Sequence, residues 1–296
     1  MQVTRHVFVM HYDDGAVGHP GGSNNFFVGD PKGEMALVDT GDHHREWTRR
    51  ILDYHKELGR PKVTTILISH GHGDHTGGVD RIQDALGATV RCHPKLVEHL
   101  QKVVGKEAVA PLRSNEVLRV GGATLRAIFT PGHEVDHVCY HLKEDGVLFT
   151  GDTILGASSS SVRDLAEYMK SLQLLTTYEH DTICPAHGPV VPPPRGATLV
   201  QWYIDHRMQR EQQVLGSLAK GNTSVREIAL DIYPRNLNKG LRGGAERNVH
   251  THLEKLVKEG RVAETAVRYV LKAAAKTNGR RGTAAEGRST TARARR

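Results

Sequence analysis

At five points of the chain, an apolar segment is followed at once by a side chain that can bind a metal ion. TTILIS precedes His70, LRAIFTPG precedes His133, GVLFTG precedes Asp152, DTICPA precedes His187 and MALV precedes Asp39. In layered α/β folds, functional side chains collect where strands end, so these five are expected to meet at one site. One such histidine alone would most often be a hydrogen-bonded core residue. Four strand ends of this kind in succession favour a functional site instead.

The segment SHGHGDHTGG concentrates four such side chains: His70, His72, Asp74 and His75. In an extended backbone, residues two apart point to the same side, so His70 and His72 can bind one ion. Asp74 and His75 then face a neighbouring position. The two intervening glycines are expected to relieve Cβ crowding and to permit unusual dihedral angles. Because imidazole and carboxylate groups suit zinc, the segment predicts a metal site with positions left open for water.

The first part of the chain, residues 1–196, has the pattern of a layered α/β domain. Amphipathic helical periodicity in HHREWTRRILDYHKELG, GGVDRIQDALG and VRDLAEYMKSLQLL alternates with short apolar segments bounded by turn residues. Eight of these segments are predicted strands: FFVGD, EMALVDT, VTTILIS, ATVRCH, ATLRAIFT, HVCYHL, GVLFTGD and DTICPAH. The run VVPPPRG then ends the pattern, because proline cannot continue a central strand or helix.

Residues 197–271 predict a small second domain. Three helices are expected in TLVQWYIDHRMQREQQVLGSLAKG, TSVREIALDIY and GAERNVHTHLEKLVKEG, followed by a hairpin in RVAETAVRYVLK. That order of elements is the order of a winged helix. Residues 198–271 hold 12 Lys/Arg against 8 acidic residues, and the third helix carries three glutamates. So mild a positive charge favours a structural lid or a clamp for single-stranded RNA over a sequence-specific DNA reader.

The formal net charge of +7 is confined to the C-terminal tail, residues 272–296, with 8 Lys/Arg and 1 acidic residue. This tail lacks apolar periodicity and cannot bury enough surface to offset its ordering entropy, so we expect it to be disordered. It is suited to bind nucleic acid non-specifically, or it serves only to keep the chain soluble.

Composition also excludes some classes of protein. No apolar run approaches the roughly 20 residues of a spanning helix, so membrane insertion is not expected. The N-terminus has no signal-peptide pattern. Cys92, Cys139 and Cys184 are odd in number and contain no CxxC pair, which indicates reduced thiols. The sequence therefore predicts a cytoplasmic protein.

Residues 70–75 resemble the HxHxDH signature of the metallo-β-lactamase superfamily, and the later metal-competent residues follow in family order. The resemblance covers about residues 3–190 and implies a four-layer αβ/βα sandwich with a two-metal site at one edge of its sheets. It implies two divalent ions, expected to be Zn²⁺, and an Asp39 that orients the ligand cluster. The implied ligands are His70, His72 and His133 for the first ion, Asp74, His75 and His187 for the second, and Asp152 for both.

Longer motifs are similar to the β-lactamase-like protein 2 subgroup, whose members carry a C-terminal winged-helix extension. The motifs are GSNNFFVG, TPGHEVDH, GDTILG, DLAEYMKSL, PAHGP and DHRMQREQQ, and they extend the resemblance to about residue 271. The subgroup includes a single-strand-selective endoribonuclease, and relatives include thioester hydrolases. The resemblance therefore implies a hydrolase but does not select its substrate.

The chemistry expected of such a site is hydrolysis of an ester or thioester by a hydroxide shared between the two ions. Asp74 is expected to orient this nucleophile and handle its proton. His137, four residues after His133, is expected either to act as a general acid on substrate or only to support its neighbours. Cleavage of single-stranded RNA at the same site is the alternative activity. A non-enzymatic nucleic-acid-binding protein is the alternative class, although the complete ligand set argues against it.

Four residues of the long helix are further candidates: Tyr203, His206, Arg207 and Arg210. They fall within two helical turns and are expected either to hold an anionic group of the substrate or to form a polar seam between the two domains. Residues 158–161, all serine, are expected to form a flexible loop near the metals or an ordinary solvated turn. Cys184 has no base placed beside it by spacing, so a catalytic thiol is not expected.

Overall fold

A computed structural model of the protein describes residues 1–13, 15 and 20–265. Its first β-sheet has six strands, in the same order in the sheet as in the chain. The first three strands are antiparallel, and the third to sixth are parallel. The strands are β1 (Val7–Tyr12), β2 (Ser23–Gly29), β3 (Glu34–Val38), β4 (Lys62–Leu67), β5 (Thr89–Cys92) and β6 (Val109–Pro111).

The second sheet has five strands in the order β11-β10-β9-β8-β7. Only the β10–β11 pair is parallel. The strands are β7 (Val117–Val120), β8 (Ala123–Phe129), β9 (Val138–Leu142), β10 (Val147–Gly151) and β11 (Thr182–Pro185). In both sheets, therefore, several strands end along the edge at which the two sheets adjoin.

The two sheets pack face to face and helices cover their outer faces. Phe26 and Val38 of the first sheet share one buried cluster with Tyr140 and Phe149 of the second. The outer face of the first sheet is covered by α1 (Arg45–Glu57), α3 (Val79–Leu86) and α4 (Val97–Val104). The outer face of the second sheet is covered by α5 (Leu165–Leu175) and the start of α6 (Arg195–Ala219). This arrangement confirms the four-layer αβ/βα sandwich.

A small helical unit follows, built from the end of α6, α7 (Val225–Ile232) and α8 (Arg242–Lys258). Its core contains Val214, Ile228, Val249 and Leu256. The helix α7 begins with a capping box in which Ser224 and Glu227 satisfy each other's backbone N–H groups. Most of the predicted hairpin at residues 261–272, and the tail at 272–296, lie outside the described residues.

The helix α6 joins the two units. Its first half packs Leu199, Val200 and Ile204 over the second sheet, and its second half contributes Val214 to the helical unit. The boundary predicted between residues 196 and 197 thus falls in the first turn of one continuous helix. The position of the C-terminal unit is fixed by this shared helix.

All eight predicted strands are present, but the strands β1, β6 and β7 and the helices α2 and α4 were not among the predicted elements. β6, β7 and α2 have three or four residues each, which is too short for a clear periodic pattern. The helix α4 was missed although it has eight residues, as many as the predicted α3 and α7. The N-terminal sequence MQVTRHVFVMHYDDG, which contains β1, alternates like a strand, although it is not among the eight predicted strands. None of the helices that the structure describes is both long and apolar enough to cross a membrane.

Candidate metal centre

Seven side chains meet at the edge of the two sheets, each just beyond a strand or in the short helix α2 (Gly73–Thr76). They form two groups, and within each group the nitrogen or oxygen atoms that could bind metal lie within 4.8 Å of one another. The first group is His70, His72, His133 and Asp152, and the second is Asp74, His75 and His187. The convergence expected from the sequence is therefore present, including the division of the 70–75 segment between two positions.

The first group is centred on three imidazole nitrogens. Nε2 of His70 lies 2.9 Å from Nδ1 of His72, and Nε2 of His133 lies 3.3 Å from each of them. Oδ2 of Asp152 is 3.6 Å from Nε2 of His133. Three nitrogens and one carboxylate oxygen in this arrangement suit a four-coordinate ion such as zinc.

The second group lies on the other side of Asp152. Its other oxygen, Oδ1, is 3.3 Å from Nε2 of His187 and 3.6 Å from Nε2 of His75. Oδ2 of Asp74 is 3.2 Å from the same nitrogen of His187 and 3.6 Å from that of His75. Because one oxygen of Asp152 faces each group, its carboxylate is placed to bridge them.

Two buried atoms in this region indicate that a cation fits. Nε2 of His75 and Oδ1 of Asp152 are inaccessible to solvent and have no hydrogen-bond partner. Leaving such atoms unsatisfied is costly, whereas a divalent ion would satisfy both. A third group of possible ligands, Asp42, His43 and His44, is at the surface and lacks this burial.

The nitrogen of each histidine that faces away from the centre is held by an oxygen atom. Such contacts fix the ring orientation and the tautomer. The contacts are Ser69 Oγ at 3.1 Å from His70, Glu134 Oε1 at 2.9 Å from His72, Asp39 Oδ2 at 2.8 Å from His75, the Ser161 carbonyl oxygen at 2.8 Å from His133, and Ser23 Oγ at 2.8 Å from His187.

Of these supporting residues, only Asp39 was expected from the sequence. The other four were not: Ser23, Ser69, Glu134 and Ser161. Ser23 and Glu134 lie within two motifs that carried the resemblance, GSNNFFVG and TPGHEVDH, so their position beside ligands was the available signal. Ser69 directly precedes His70. No local pattern marks Ser161, because its contribution is a backbone carbonyl.

Asp39 is buried and accepts three hydrogen bonds. The backbone N–H of Ser69 donates to Oδ1 at 2.7 Å, and the Ser69 hydroxyl donates to Oδ2 at 2.7 Å. The third donor is Nδ1 of His75. The backbone of Asp39 is left-handed, with φ of 59°, which aspartate tolerates better than most residues. Asp39 therefore has the orienting position expected from the sequence.

Burial and nearby carboxylates set the protonation of the cluster. Burial lowers the pKa of His70 well below its usual value, with a further contribution from neighbouring histidines. Burial also lowers the pKa of His133, against the opposing effect of Asp152. For His75, burial acts in the same direction, but Asp39 and Asp152 outweigh it and raise the pKa to about 10. The centre therefore combines neutral imidazoles at His70 and His133 with a negative field around His75 that stabilises positive charge.

The expectation about the glycines is correct for one position only. A Cβ on Gly71 would lie 2.7 Å from Leu96 and 2.9 Å from the carboxylate of Asp136, so a larger residue there would displace the ends of these two side chains. Gly73 has no atom within 4 Å of such a Cβ, and neither glycine has a positive φ. The glycine that the ligands do require is Gly151, directly before Asp152. It has φ of 47°, and its Cβ would lie 2.6 Å from Nε2 of His137.

His137 is fully buried behind the centre. Its Nε2 accepts a hydrogen bond from the backbone N–H of Asp152 at 3.0 Å, and its Nδ1 lies 2.9 Å from the hydroxyl of Thr130. Burial lowers its pKa well below the usual range. A neutral ring without access to the cleft does not suit a general acid. The geometry agrees with the supporting role that the sequence left open.

Tyr203 and Arg207 form the seam between α6 and the loop after β10. The buried hydroxyl of Tyr203 donates to the carbonyl of Ser158 at 2.6 Å and accepts from the N–H of Leu155 at 3.0 Å. Arg207 donates to the carbonyl of Ser160 at 2.6 Å and is 3% exposed. These contacts fix the serine segment, residues 158–161, whose last residue, Ser161, holds His133. For Tyr203, the interdomain alternative fits and direct substrate contact does not.

Arg210 and His206 also contact protein groups. The Arg210 guanidinium lies 4.2 Å from the ring centroid of Tyr233 and donates to the carbonyl of Ile232 at 3.4 Å, which joins α6 to the segment after α7. His206 stacks on Trp202 with ring centroids 5.1 Å apart. Neither residue touches the metal-binding groups in these contacts.

Replacing Tyr203 with phenylalanine should lower the free energy of unfolding by about 1 kcal/mol, because the partly buried backbone groups of Leu155 and Ser158 lose their partner. Chemical denaturation measures the change. The matched control is Tyr178→Phe, whose hydroxyl bonds to Asn115 at an exposed position and whose loss should have little effect. Unchanged stability with a raised KM would contradict the seam and favour substrate contact.

The solvent exposure of the ligand side chains shows which side of the metal centre is open. The side chain of His72 is 43% exposed and that of Asp74 is 18% exposed, whereas His133 and His187 are each 3% exposed. Substrate can therefore approach from the side of the 72–74 segment. The buried thiol of Cys184 is not part of this face, and burial raises its pKa, so the expectation that it is not a nucleophile agrees with its position.

This fold and the two adjoining groups of possible metal ligands define a class of hydrolase. Residues 18–187 match the metallo-beta-lactamase superfamily, and residues 224–268 match the beta-lactamase associated winged helix domain. The chain belongs to the metallo-β-lactamase superfamily and carries a C-terminal winged-helix domain, as the sequence motifs implied.

Curated relatives extend over most of the chain. It is 35% identical to a lactamase-like protein of Aspergillus sp., over 82% of this chain and 76% of that protein. It is 34% identical to an atrochrysone carboxyl ACP thioesterase of Pseudocercospora fijiensis, over 82% and 72%. It is 33% identical to the beta-lactamase-like protein 2 homolog of Drosophila melanogaster, over 81% and 84%. The resemblance to the β-lactamase-like protein 2 subgroup is confirmed.

Solved structures share the same fold. A metallo-beta-lactamase family protein of Thermus thermophilus aligns with a TM-score of 0.67 and 26% identity, over 87% of this chain and 95% of that one. A beta-lactamase domain protein of Burkholderia ambifaria aligns with a TM-score of 0.71 and 21% identity, over 89% of each. Both alignments extend beyond the sandwich into the C-terminal part of the chain.

Proposed function

We propose that the protein is a two-zinc thioesterase, which hydrolyses an acyl thioester to a carboxylic acid and a thiol. The observation that carries this proposal is the position of Asp152, with one carboxylate oxygen facing each group of ligands. Thioesters are favoured as substrates because relatives similar over most of the chain are named thioesterases. Single-stranded RNA remains the alternative substrate, but no contact among the described residues favours it.

His70, His72, His133 and Asp152 would hold the first ion, and Asp74, His75, His187 and Asp152 the second. Bound metal ions activate water at neutral pH, polarise the carbonyl group and stabilise the negative charge that develops on its oxygen. The nitrogen and carboxylate set suits zinc. Residues Asp39 and Glu134 orient ligand rings through the hydrogen bonds described above.

Asp74 is proposed to orient the attacking water and to take its proton. It is the more exposed of the two carboxylates in the centre, 18% against 11% for Asp152, and therefore lies nearest to the open side. Water adds to the carbonyl carbon, the C–S bond breaks, and the proton passes to the departing thiolate sulfur. An alanine at this position removes the proton acceptor as well as a metal ligand.

We also propose that the chain works as a catalytic domain of residues 1–196, a winged-helix domain of residues 197–271 and a basic tail of residues 272–296. Continuity of α6 across the first boundary supports a rigid connection between the first two domains. The two domains are then coupled at the metal centre, since residues 158–161 contact α6 and also support His133.

The test is a comparison of octanoyl-pantetheine and a single-stranded RNA oligonucleotide as substrates for protein that has been assayed for metal. We expect about two zinc ions per chain, hydrolysis of the thioester, intact RNA, and loss of hydrolysis after chelation. Asp74→Ala is the blank and should lower turnover at least about a hundredfold.

Different outcomes separate the alternatives. RNA cleavage that disappears in the Asp74→Ala variant, with no thioester hydrolysis, would replace the thioesterase by the endoribonuclease. Equal turnover by wild type and blank would indicate a contaminant. Full activity in metal-free protein would contradict the two-metal centre itself.

A further inference from the structure

Arg207 on α6 is buried and takes no part in the proposed hydrolysis. The residue is 3% exposed. In the described part of the chain its guanidinium forms no ion pair, since Glu211, one turn further along α6, is bonded to Lys255 and Arg261 instead. Burying a charge without a counter-charge is costly. We therefore expect this guanidinium to do more than fill space between the layers.

The first contact of Arg207 leads to the metal ligand His133. Nη2 of Arg207 donates to the carbonyl oxygen of Ser160 at 2.6 Å. The carbonyl oxygen of the next residue, Ser161, lies 2.8 Å from Nδ1 of His133. The Ser160 hydroxyl donates to the same Ser161 carbonyl at 2.9 Å. Arg207 therefore holds the backbone segment that orients the ring of His133.

The second contact of Arg207 leads to the same ligand through α5. Cζ of Arg207 lies 5.3 Å from the ring centroid of Tyr168, within the range of a cation–π contact. The backbone of Tyr168 packs against Gly132, which directly precedes His133, so closely that a Cβ on Gly132 would collide with it. Both contacts of Arg207 thus end at residues that bond to His133 or adjoin it.

The C-terminal domain holds Arg207 in turn. His252 on α8 is fully buried, and its Nε2 lies 3.3 Å from the carbonyl oxygen of Arg207. Its Nδ1 lies 2.8 Å from the carbonyl oxygen of Asn248, one turn earlier on α8. The imidazole ring is therefore held between the two helices. A continuous series of contacts runs from α8 through Arg207 to His133.

The ligands of the second position are held by other residues. Nδ1 of His75 bonds to Asp39, and Nδ1 of His187 bonds to Ser23. Asp39 follows β3 and Ser23 begins β2, so both supports belong to the first sheet, whereas α6 packs on the second. His133 is a member of the first group alone. Loss of support from α6 should therefore weaken the first position and spare the second.

We propose that Arg207 is a positioning residue for the first metal ion, because it fixes His133 through the serine segment and through Tyr168. This inference rests on the two-metal centre of the proposed function. Binding of the first ion then depends on the docking of α6 against residues 158–161. The C-terminal domain contributes to metal binding in the same way, since its helix α8 contacts Arg207.

The test compares Arg207→Met with the matched control Arg210→Met in the full chain. Methionine keeps a long apolar side chain and removes the guanidinium donors. Arg210 lies on the same helix, but its guanidinium contacts Tyr233 and the carbonyl of Ile232. Arg207→Lys is measured as well, because its ammonium group keeps the charge and can donate to the Ser160 carbonyl. Circular dichroism and thermal melting report the fold of each variant.

Zinc affinity is measured by competition with a chelator, so that the result does not depend on turnover. Two backgrounds separate the positions, since His187→Ala removes a ligand of the second group only and His133→Ala one of the first group only. If Arg207 acts through His133, its replacement has an effect in the His187→Ala background and none in the His133→Ala background. A general loss of stability would lower the affinity in both.

We expect Arg207→Met to weaken binding of the first zinc ion about tenfold and to leave the second close to wild type, because contacts that orient a ligand ring contribute to metal affinity on this scale. Arg207→Lys should give a smaller loss than Arg207→Met. Arg210→Met should leave both affinities unchanged.

Several results would overturn the positioning role. They are unchanged zinc affinity in folded Arg207→Met, an equal loss in Arg210→Met, and an effect that persists in the His133→Ala background. Failure of both Arg207 variants to fold would also overturn it, since the residue would then serve the fold. A single ion in wild type that is still weakened by Arg207→Met would instead reject the two-metal function and leave the positioning role standing.

Discussion

Replacing Asp152 with alanine should remove at least one of two metal ions and lower thioester turnover at least about a hundredfold. The effect is large because the carboxylate faces both groups, with Oδ2 3.6 Å from His133 and Oδ1 3.3 Å from His187. Removing it leaves the second group with Asp74 as its remaining carboxylate. Elemental analysis gives the metal content, and steady-state kinetics give the turnover.

The control for this prediction is Asp42→Ala. Asp42 belongs to the surface group with His43 and His44, whose possible ligand atoms also lie within 4.8 Å of one another. Since that group is not buried, its loss should change neither metal content nor turnover. A third ion in wild type that disappears with Asp42 would show that the surface group binds metal. Wild-type metal content in the Asp152→Ala protein would contradict the bridging position.

Replacing Asp39 with asparagine should weaken metal binding at the second position about 10- to 100-fold. In wild type, Nδ1–H of His75 donates to Oδ2 of Asp39, so Nε2 is the nitrogen that would give up its proton to bind a metal ion. The amide NH₂ of asparagine cannot accept this hydrogen bond while its oxygen accepts from the N–H of Ser69. His75 is then favoured as the other tautomer, with the proton on its ligand atom.

The affinity is measured by competition with a chelator of known zinc affinity, and the fold by circular dichroism. Asp53→Asn, on the exposed side of α1, changes the same functional group away from the centre and should leave affinity unchanged. Weaker binding of only the second ion supports the tautomer argument. Loss of both ions together with a lower melting temperature would instead show that Asp39 acts mainly through folding, and unchanged affinity would exclude the orienting role.

The sequence by itself determined the sandwich and the grouping of the metal-competent residues. Strand ends are visible as the end of an apolar segment, and a side chain placed directly after one must lie at the edge of a sheet. His70, Asp152 and His187 were located in this way. Spacing also placed His70 and His72 together, because residues two apart in an extended backbone point to the same side. Asp74 and His75 form the other group, but they lie in the helix α2 and not in the extended backbone that was expected.

Tertiary structure alone decided which groups support the ligands. Glu134 bonds to His72 across 62 residues of chain, and Ser23 bonds to His187 across 164. Such contacts depend on how two sheets pack, and no local pattern encodes that distance. Ser161 shows the limit most clearly, because a backbone carbonyl leaves no trace in residue type.

Burial, which also arises only on folding, bears on the alternatives that the sequence left open for His137 and Tyr203. Both carry groups capable of acid chemistry or substrate binding, and the sequence left each between a functional and a supporting position. His137 is enclosed behind Asp152, and Tyr203 is enclosed by the 155–158 backbone. A side chain's chemistry is readable from its residue type, but its access to substrate depends on which layers cover it, and that is a property of the packed chain.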